Sequence, residues 1–554
     1  MPNLGRYFRT LRHLRFSQLT GQICVRLRKR WRNPVRILAN VRSDWRMPSA
    51  SRSVGICPPV PSQNAAEIAA GKFHFVGREV DFGSSISWDA PEQSRLWTYN
   101  LHYFDWLWSL LPNESPNWQT ARRLTIDWIQ NHPPGKSACG WEPYPVSLRL
   151  MNWAILFGVH HRDRCVEDEA FCDLLMQSFA KQIRWLELNL ETHIQANHLL
   201  ENLAALTCVG SIFEGDDAGR VIQRVIPSLE RELNEQILGD GCHYERSPMY
   251  HLRMLWLVEM LEEIGTPEVL PVVTGLSDKM RAALACLRHP DGEIAQFNDA
   301  AMGIYLDSWK SSSHSEIGAW ALPEAGYYGY RNTKNDYLVV DAGAVGPDYQ
   351  PGHAHADYLS FELSFDGERL ITDTGIGTYE AGVSRAYDRS TSAHNTVEIN
   401  GRNSAEVWGC FRVGRRVVPK LLEWVPRSDG LVLEAEHCGY AWLPCGAVHR
   451  RRFEWTEGLV SIEDVVKARS GANAVSRIHF APGCRVILED HQAIIEKGCR
   501  RYFLKWDKVK NVAVETRLCH PKFGESVQRQ VLVMRHQLVE GANAWHISIG
   551  RVRP

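Results

Sequence analysis

The sequence predicts an α+β protein of more than one domain, with helices first and an antiparallel β-sandwich second. Three observations predict it. Between about residues 95 and 285, apolar side chains recur at steps of three and four. After about residue 330 the chain breaks into short runs of β-branched and aromatic residues bounded by Gly, Asp or Asn. Two of these runs are joined by Asp366-Gly367, the dipeptide that type I′ hairpin turns favour.

The helical periodicity is clearest over 121–130, 147–159, 171–190 and 250–264. Several helices of that size with short polar links make one large all-α domain. Strands are expected at 337–341, 358–365, 369–374, 396–400, 431–436, 449–455 and 460–466. Many short strands without helices between them mean an antiparallel sandwich. The boundaries expected are 1–90 for a basic segment with a linker or wrapped arm, 91–310 for the helical domain and 311–554 for the sandwich, with 281–332 as the crossing segment.

Composition narrows the function classes. Hydrophobic residues make up 44% and charged residues 23% of 554, an ordinary globular balance. A net charge of −1 gives no argument for nucleic acid as partner. The charge is unevenly placed, however. Ten Arg and one Lys precede Asp44, the first acidic residue, with the run Arg26, Arg28, Lys29, Arg30, Arg32 among them. Leu4, Tyr7, Phe8, Leu11, Leu14 and Phe16 are interspersed at roughly helical spacing. The plain reading is a solvated basic helix capping the first domain. The sharper one is a surface helix in peripheral contact with anionic lipid. No apolar h-region of ~7–15 residues marks a signal peptide, and no run reaches the ~20 residues that span a bilayer. The fourteen Cys form no CxxC pair. Cytoplasmic residence is the expectation, with membrane association through the basic segment.

Four polar clusters can carry chemistry. In Gln195-Ala196-Asn197-His198-Leu199-Leu200-Glu201-Asn202, His198 and Glu201 share a helix face, although an Asn near a helix start with a structural His explains the segment equally well. The stretch Gly241-Cys242-His243-Tyr244-Glu245-Arg246-Ser247-Pro248-Met249-Tyr250-His251 packs two Tyr, two His, Glu and Arg before an apolar helix. Either Tyr packs with its hydroxyl satisfied, or one serves in proton transfer. The third cluster is Gly352-His353-Ala354-His355-Ala356-Asp357 with Asp373-Thr374-Gly375, and the fourth is Arg389-Ser390-Thr391-Ser392-Ala393-His394-Asn395-Thr396. His355, Asp373 and His394 are a two-nitrogen, one-oxygen set suited to a divalent metal such as zinc. A regular hairpin would pair Asp373 with Ser360 and leave His355 roughly 16 Å away. The His-Ala-His segment must therefore bend back if the three share an ion.

In this order the clusters resemble the heparinase II/III family and its alginate-lyase relatives. The resemblance is carried by Gly-His-Ala-His-Ala-Asp-Tyr-Leu-Ser-Phe-Glu-Leu, the Asp-Gly turn, Thr-Asp-Thr-Gly-Ile-Gly-Thr-Tyr and Ser-Ala-His-Asn-Thr-Val. Upstream, the motifs at residues 97–105 and 141–149 resemble members found beside polysaccharide-biosynthesis genes. The match runs from about residue 95 to 400.

That resemblance implies an incomplete α/α toroid, a sandwich, and a substrate cleft between them. It implies β-elimination on a uronic-acid-containing polysaccharide, with Asn197, His198, Tyr250 and His353 as catalytic residues and Tyr244 as rival to Tyr250. It makes His355, Asp373 and His394 the ligands of a structural zinc. Tyr99, His102, Trp141, Arg149, Glu201, Tyr244, Arg246 and Arg389 are the candidate substrate-binding residues, Arg149 as a bidentate carboxylate clamp. Trp97, Trp106, Trp108, Trp141 and Trp153 would floor the sugar site. The competing readings are a glycoside hydrolase, which needs two carboxylates about 5–10 Å apart, a non-catalytic glycan-binding or assembly protein, and a C5-epimerase.

Overall fold

The computed structural model describes residues 4–31, 37–39, 41, 44–111, 115–134, 139–307, 317–456 and 458–552. Arg32, the side chains of Arg28, Lys29 and Arg30, and residues 308–316 of the crossing segment lie outside the described residues.

The helical half is built from Arg95–Tyr103, Ser115–Asn131, Pro143–Ile155, Glu169–Leu188, Ala196–Ile212, Asp216–Gln236, Pro248–Ile264 and Leu276–Cys286. Caps set several starts. Ser94 accepts from the Trp97 amide, Asp168 from that of Phe171, and Ser247 from that of Tyr250 ahead of Pro248 in the first turn. Ala196–Ile212 is buried at every position except His198. It packs against Pro143–Ile155, Asp216–Gln236 and Pro248–Ile264. A helix surrounded in this way is apolar all round and shows little periodicity.

Aromatic rings fill the same core. Trp128 meets Trp153 edge-on at 5.5 Å, and Phe104 meets Trp153 at 5.1 Å. Trp97, Trp106, Trp108 and Trp153 are all buried there, so the expected aromatic floor is core packing instead. Trp45, Ile56, Ile68 and Phe73 join this core, so residues 45–73 lie against the helices.

Among the described residues, the second half holds three large antiparallel sheets and a two-stranded ribbon of Val407–Trp408 with Arg412–Val413. The first runs Gly318–Leu322, Tyr327–Arg331, Tyr337–Asp341, Phe361–Phe365, Glu368–Ile371. Asp366 and Gly367 join its last two strands at φ 53° and 83°, the left-handed pair that a type I′ turn requires. Asn511–Cys519, Val527–Leu538, Ala472–His479 and Val397–Ile399 make a four-stranded sheet. Eight strands between Lys420 and Arg551 make the largest, in which Leu459–Ala468 pairs with the last strand, Gly541–Arg551. Leu338, Leu363, Phe453, Ile462, Leu532 and Ile547 belong to one core shared by the three sheets. The order of helices and then antiparallel sheets is the one the sequence predicts. The strands after 470 complete the sandwich.

The expected strand at 358–365 begins only at Phe361. Ahead of it the chain turns back: the Ser360 amide donates to the Asp357 carbonyl, Leu359 sits at φ 62°, and the Asn298 side chain accepts from the His355 amide at 3.0 Å. That bend removes the 16 Å obstacle of a regular hairpin.

Candidate functional site

Asn197 and His198 are presented by an unusual helix start. Gln195 and Ala196 both have positive φ, 64° and 53°, which costs non-glycine residues energy and gathers at functional positions. Hydrogen bonds hold the pair in place. Gln195 donates to Ser17 Oγ at 2.8 Å, and Gln236 donates to the Ala196 carbonyl at 3.0 Å. The Asn197 amide donates to Glu245 Oε1 at 3.0 Å. His198 Nδ1 lies 3.0 Å from Glu191 Oε1, and Asn202 fixes that carboxylate from its other side. Burial disfavours a charge on His198, yet Glu191, with Glu245 and Glu201 behind it, outweighs this and raises the pKa. A line of rings runs from Tyr99 through Tyr103 and Tyr144 to His198, the last step being 4.4 Å.

Tyr250 stands in the first turn of Pro248–Ile264. Its hydroxyl pairs with that of Tyr379 at 2.9 Å, and burial pushes its pKa well above the ordinary phenol value. Its ring stacks on His353 from the sandwich half, centroids 3.9 Å apart. Tyr244 is placed elsewhere: its hydroxyl meets that of Tyr349 at 2.8 Å, which in turn donates to Glu235.

His353 Nδ1 lies 2.9 Å from Asp299 Oδ2, and its Nε2 lies 3.4 Å from Glu245 Oε2. Asp299 is a buried hub. It also accepts from His355 Nε2 at 2.9 Å and from both arms of Arg385. Burial would raise its pKa, but the Arg385 charge and these hydrogen bonds hold it well below the carboxylate range. Glu245 shifts the other way: burial raises its pKa against the pull of His353, and its Oε2 has no hydrogen-bond partner among the described residues.

His355, Asp373 and His394 come together, all buried, each with a donor atom within 4.8 Å of the others. His355 Nδ1 and His394 Nε2 are buried without hydrogen-bond partners, while the opposite nitrogen of each faces a carboxylate, Asp299 and Asp373 respectively. His355, fixed on one nitrogen by a carboxylate outside the set and open on the other, has the arrangement a metal-binding histidine takes. Burial pushes the His355 pKa down to about 3, so the imidazole is neutral, as a ligand must be. The set fits a divalent ion.

Several sequence expectations need correction. Arg149 is fully buried: it donates to Gln182, the His102 carbonyl and the Gly140 carbonyl, and lies 4.0 Å over the Trp128 ring. With the guanidinium fully buried and turned inward, it presents no face to clamp a substrate carboxylate. Trp141 is buried and donates to the His132 carbonyl, and His102 is buried against Trp128. Arg389 is spent on the carbonyls of Ala354, Gly409 and Arg412, and Arg246, at φ 57°, on those of Ala325 and Glu324. Glu201 is locked to Arg253 by two bonds of 2.6 and 2.9 Å inside the helical core. Tyr99 stays near the site, its hydroxyl bound to Glu142.

Sequence reasoning assigns no role in the lyase reaction to Glu191, Glu245, Asp299, Tyr379 or Arg385. A signal existed for Asp299, since Asn298-Asp299 is a polar pair between apolar Phe297 and Ala300-Ala301. Arg385 and Tyr379 carry no such mark.

A family model described as Heparinase II/III N-terminus matches residues 62–314, and one described as Heparinase II/III-like, C-terminal, matches residues 316–548. FtsZ-localized protein C of Caulobacter vibrioides is 25% identical over 409 residues, covering 71% of this chain and 69% of that protein. The heparin-sulfate lyase of Pedobacter heparinus is 24% identical over 376 residues, 58% of this chain and 55% of its own length. That of Bacteroides stercoris is 25% identical over 405 residues, 63% and 58%. The chain thus spans little more than half the length of these two lyases. Among solved structures, a heparinase III superposes with a TM-score of 0.73 at 16% identity, covering 97% of this chain and 92% of the other. A mutant heparan sulfate lyase from Pedobacter heparinus gives 0.64 at 18%, covering 94% and 89%. At such identities the likeness establishes the fold.

Proposed function

The chain belongs to the heparinase II/III family, and from that membership we propose that it is a polysaccharide lyase cleaving an acidic, uronic-acid-containing glycan by β-elimination. The observation that carries this reading is the meeting of Asn197, His198 and Tyr250 from the helices with His353 from the sandwich. Glu245 accepts from the Asn197 amide, and its other oxygen lies 3.4 Å from Nε2 of the His353 ring, which stacks on Tyr250.

The chemistry follows from those groups. The C5 proton of a uronate is weakly acidic until its carboxylate is neutralised. His198, held charged by Glu191, and the Asn197 side chain supply that neutralisation, the oxyanion-type stabilisation that dominates many such reactions. His353, oriented through Nδ1 by Asp299, takes the C5 proton on Nε2. The electron pair forms the C4–C5 double bond, and the departing O4 collects a proton from Tyr250, whose raised pKa keeps it protonated until then. Tyr99, Tyr103 and Tyr144 would line the path of the sugar chain.

His355, Asp373 and His394 would hold zinc in a structural role. The ion would supply rigidity to His355 and, through Asp299, to His353.

The polymer we have in mind is one made by the producing cell, such as a capsular or exported polysaccharide, and the enzyme would act in the cytoplasm. Support comes from the cysteines. All fourteen are free and four are exposed, a burden in an oxidising compartment. A relative named for its localisation with FtsZ keeps a non-catalytic assembly role as a second reading. The test is a panel of uronic-acid polysaccharides followed by the ultraviolet absorbance of a conjugated unsaturated uronate, with mass spectrometry of products. Absorbance with cleaved chains supports the lyase. Cleavage without it means a hydrolase, inversion at C5 an epimerase, and binding alone the assembly role.

A further inference from the structure

The two helices that open the described chain are inside out. Leu4–Leu11 and Phe16–Trp31 turn their large apolar side chains to solvent. Leu4 is 78% exposed, Phe8 71%, Phe16 80%, Ile23 58% and Leu27 54%. The positions 4, 8, 11 and 16, 19, 23, 27 each form one helix face.

Polar and small groups make up the inward side. Arg6 and Arg9 pair with Glu406, and Thr10 accepts from the Trp408 indole at 3.1 Å. Gln18, buried, donates to the carbonyls of Ile194 and Tyr349, and Arg15 pairs with Glu235 while lying 3.6 Å over the Tyr349 ring. At Gly21 the helix comes so close that a β-carbon would stand 2.9 Å from the Cβ of His193. Polar anchoring therefore straps the pair across both halves of the molecule and fixes which side faces out. A surface helix normally shows the reverse pattern, and an exposed apolar patch of this extent marks a contact surface.

Charge identifies the partner. Ten Arg and one Lys precede Asp44 with no acidic residue among them, and Arg12 and Arg26 are exposed beside the apolar face. A second copy would set this positive charge against itself. An anionic lipid surface satisfies both charge and apolar face. No helix among the described residues is long and apolar enough to cross a membrane. We propose that this two-helix face docks on anionic lipid, lying in the interfacial plane with Phe8, Phe16 and Ile23 inserted among the headgroups.

The experiment is co-sedimentation of the full chain with vesicles of phosphatidylcholine alone or mixed with phosphatidylglycerol, at low and high salt. The unaltered chain should sediment with the anionic vesicles and be released by salt. Phe8→Ser, Phe16→Ser and Ile23→Ser combined should weaken binding at least about tenfold, since lipid affinity scales with inserted apolar area. Its circular dichroism should be unchanged, because all three side chains are mostly exposed. Charge reversal by Arg12→Glu with Arg26→Glu should weaken binding independently of any packing change. Failure of the unaltered chain to bind anionic vesicles overturns the proposal, as does binding that both variants retain. A dimer in light scattering that the triple variant dissolves would assign the face to a second copy instead.

Discussion

The ring of Tyr250 stacks on the ring of His353 with centroids 3.9 Å apart and planes 28° from parallel. One comes from the start of a helix and the other from the loop before a β-strand, 103 positions later in the sequence. The contact brings a phenol that keeps its proton against an imidazole oriented to accept one, so each group has a separate expected loss.

Tyr250→Phe should lower kcat by about 10²–10⁴-fold, the usual worth of general acid catalysis, with KM nearly unchanged. Tyr244→Phe should stay close to the parent rate, because its hydroxyl is paired with Tyr349. Steady-state kinetics of the two variants checks the assignment, and a reversed ranking would transfer the acid role to Tyr244.

His198 gives a pH dependence with a defined sign. Its folded pKa is raised: burial opposes the charge and Glu191 more than restores it. The charged form binds the substrate carboxylate, so kcat/KM should fall as pH rises through that pKa. Glu191→Gln should move this limb toward lower pH. The same pairing stabilises the fold in full below the unfolded value of about 6.5, and the benefit is lost as pH climbs through the folded pKa. Unfolding scans at acid and alkaline pH should show the Glu191→Gln deficit shrinking at the alkaline end.

Much of this arrangement was legible in the sequence. The type I′ hairpin at Asp366-Gly367 follows from two residues that tolerate positive φ, whereas His355, Asp373 and His394 offer the right donor types in the sequence but meet only through the bend at 357–360. Arg149 was misread for a physical reason. A planar fork beside aromatic residues suits a substrate carboxylate and three internal acceptors equally, and only packing decides between them. The burial of Ala196–Ile212 was hidden because a helix apolar on every side has no preferred face. Asp299 escaped because its four-way role joins the loop ahead of the sandwich to residues 353, 355 and 385.

Arg149→Ala should act on stability before catalysis. It leaves Gln182 and two buried carbonyls without their donor, at a cost of about 1–3 kcal/mol for each group left unsatisfied. Denaturant unfolding should show the loss, while protein that does fold keeps its KM. A raised KM with unaltered stability would restore the clamp.

For the metal, elemental analysis of protein purified without added ions should find close to one equivalent of a divalent ion, and His355→Ala should lose it along with thermal stability. Structural zinc sites bind tightly enough to survive purification. Less than about a tenth of an equivalent in the parent would end the assignment, given affinities of that order.

Asp299→Asn tests the hub that ties that site to the cleft. The carboxylate receives His353, His355 and both arms of Arg385. It does not touch the sugar in the proposed mechanism, so it acts as a positioning residue. An amide of the same shape keeps the volume but offers one acceptor oxygen in place of two. Arg385 and one imidazole then lose a partner, and the tautomer of His353 is no longer dictated. Replacing the orienting Asp of a catalytic triad by Asn drops kcat about 10⁴-fold with geometry intact, and a loss of about 10²–10⁴ is expected here through the same loss of a fixed tautomer. KM should change little, because the residues assigned to the uronate carboxylate, Asn197 and His198, are held by Glu245 and Glu191 instead. A merely structural Asp299 would reduce stability and leave kcat of the protein that still folds alone. A positioning Asp299 lowers kcat of fully folded protein, because nothing then dictates which His353 nitrogen carries the proton. Measuring kcat and KM of Asp299→Asn, beside unfolding midpoints and metal content, separates the two, and an unmoved kcat in folded protein would remove Asp299 from the catalytic apparatus.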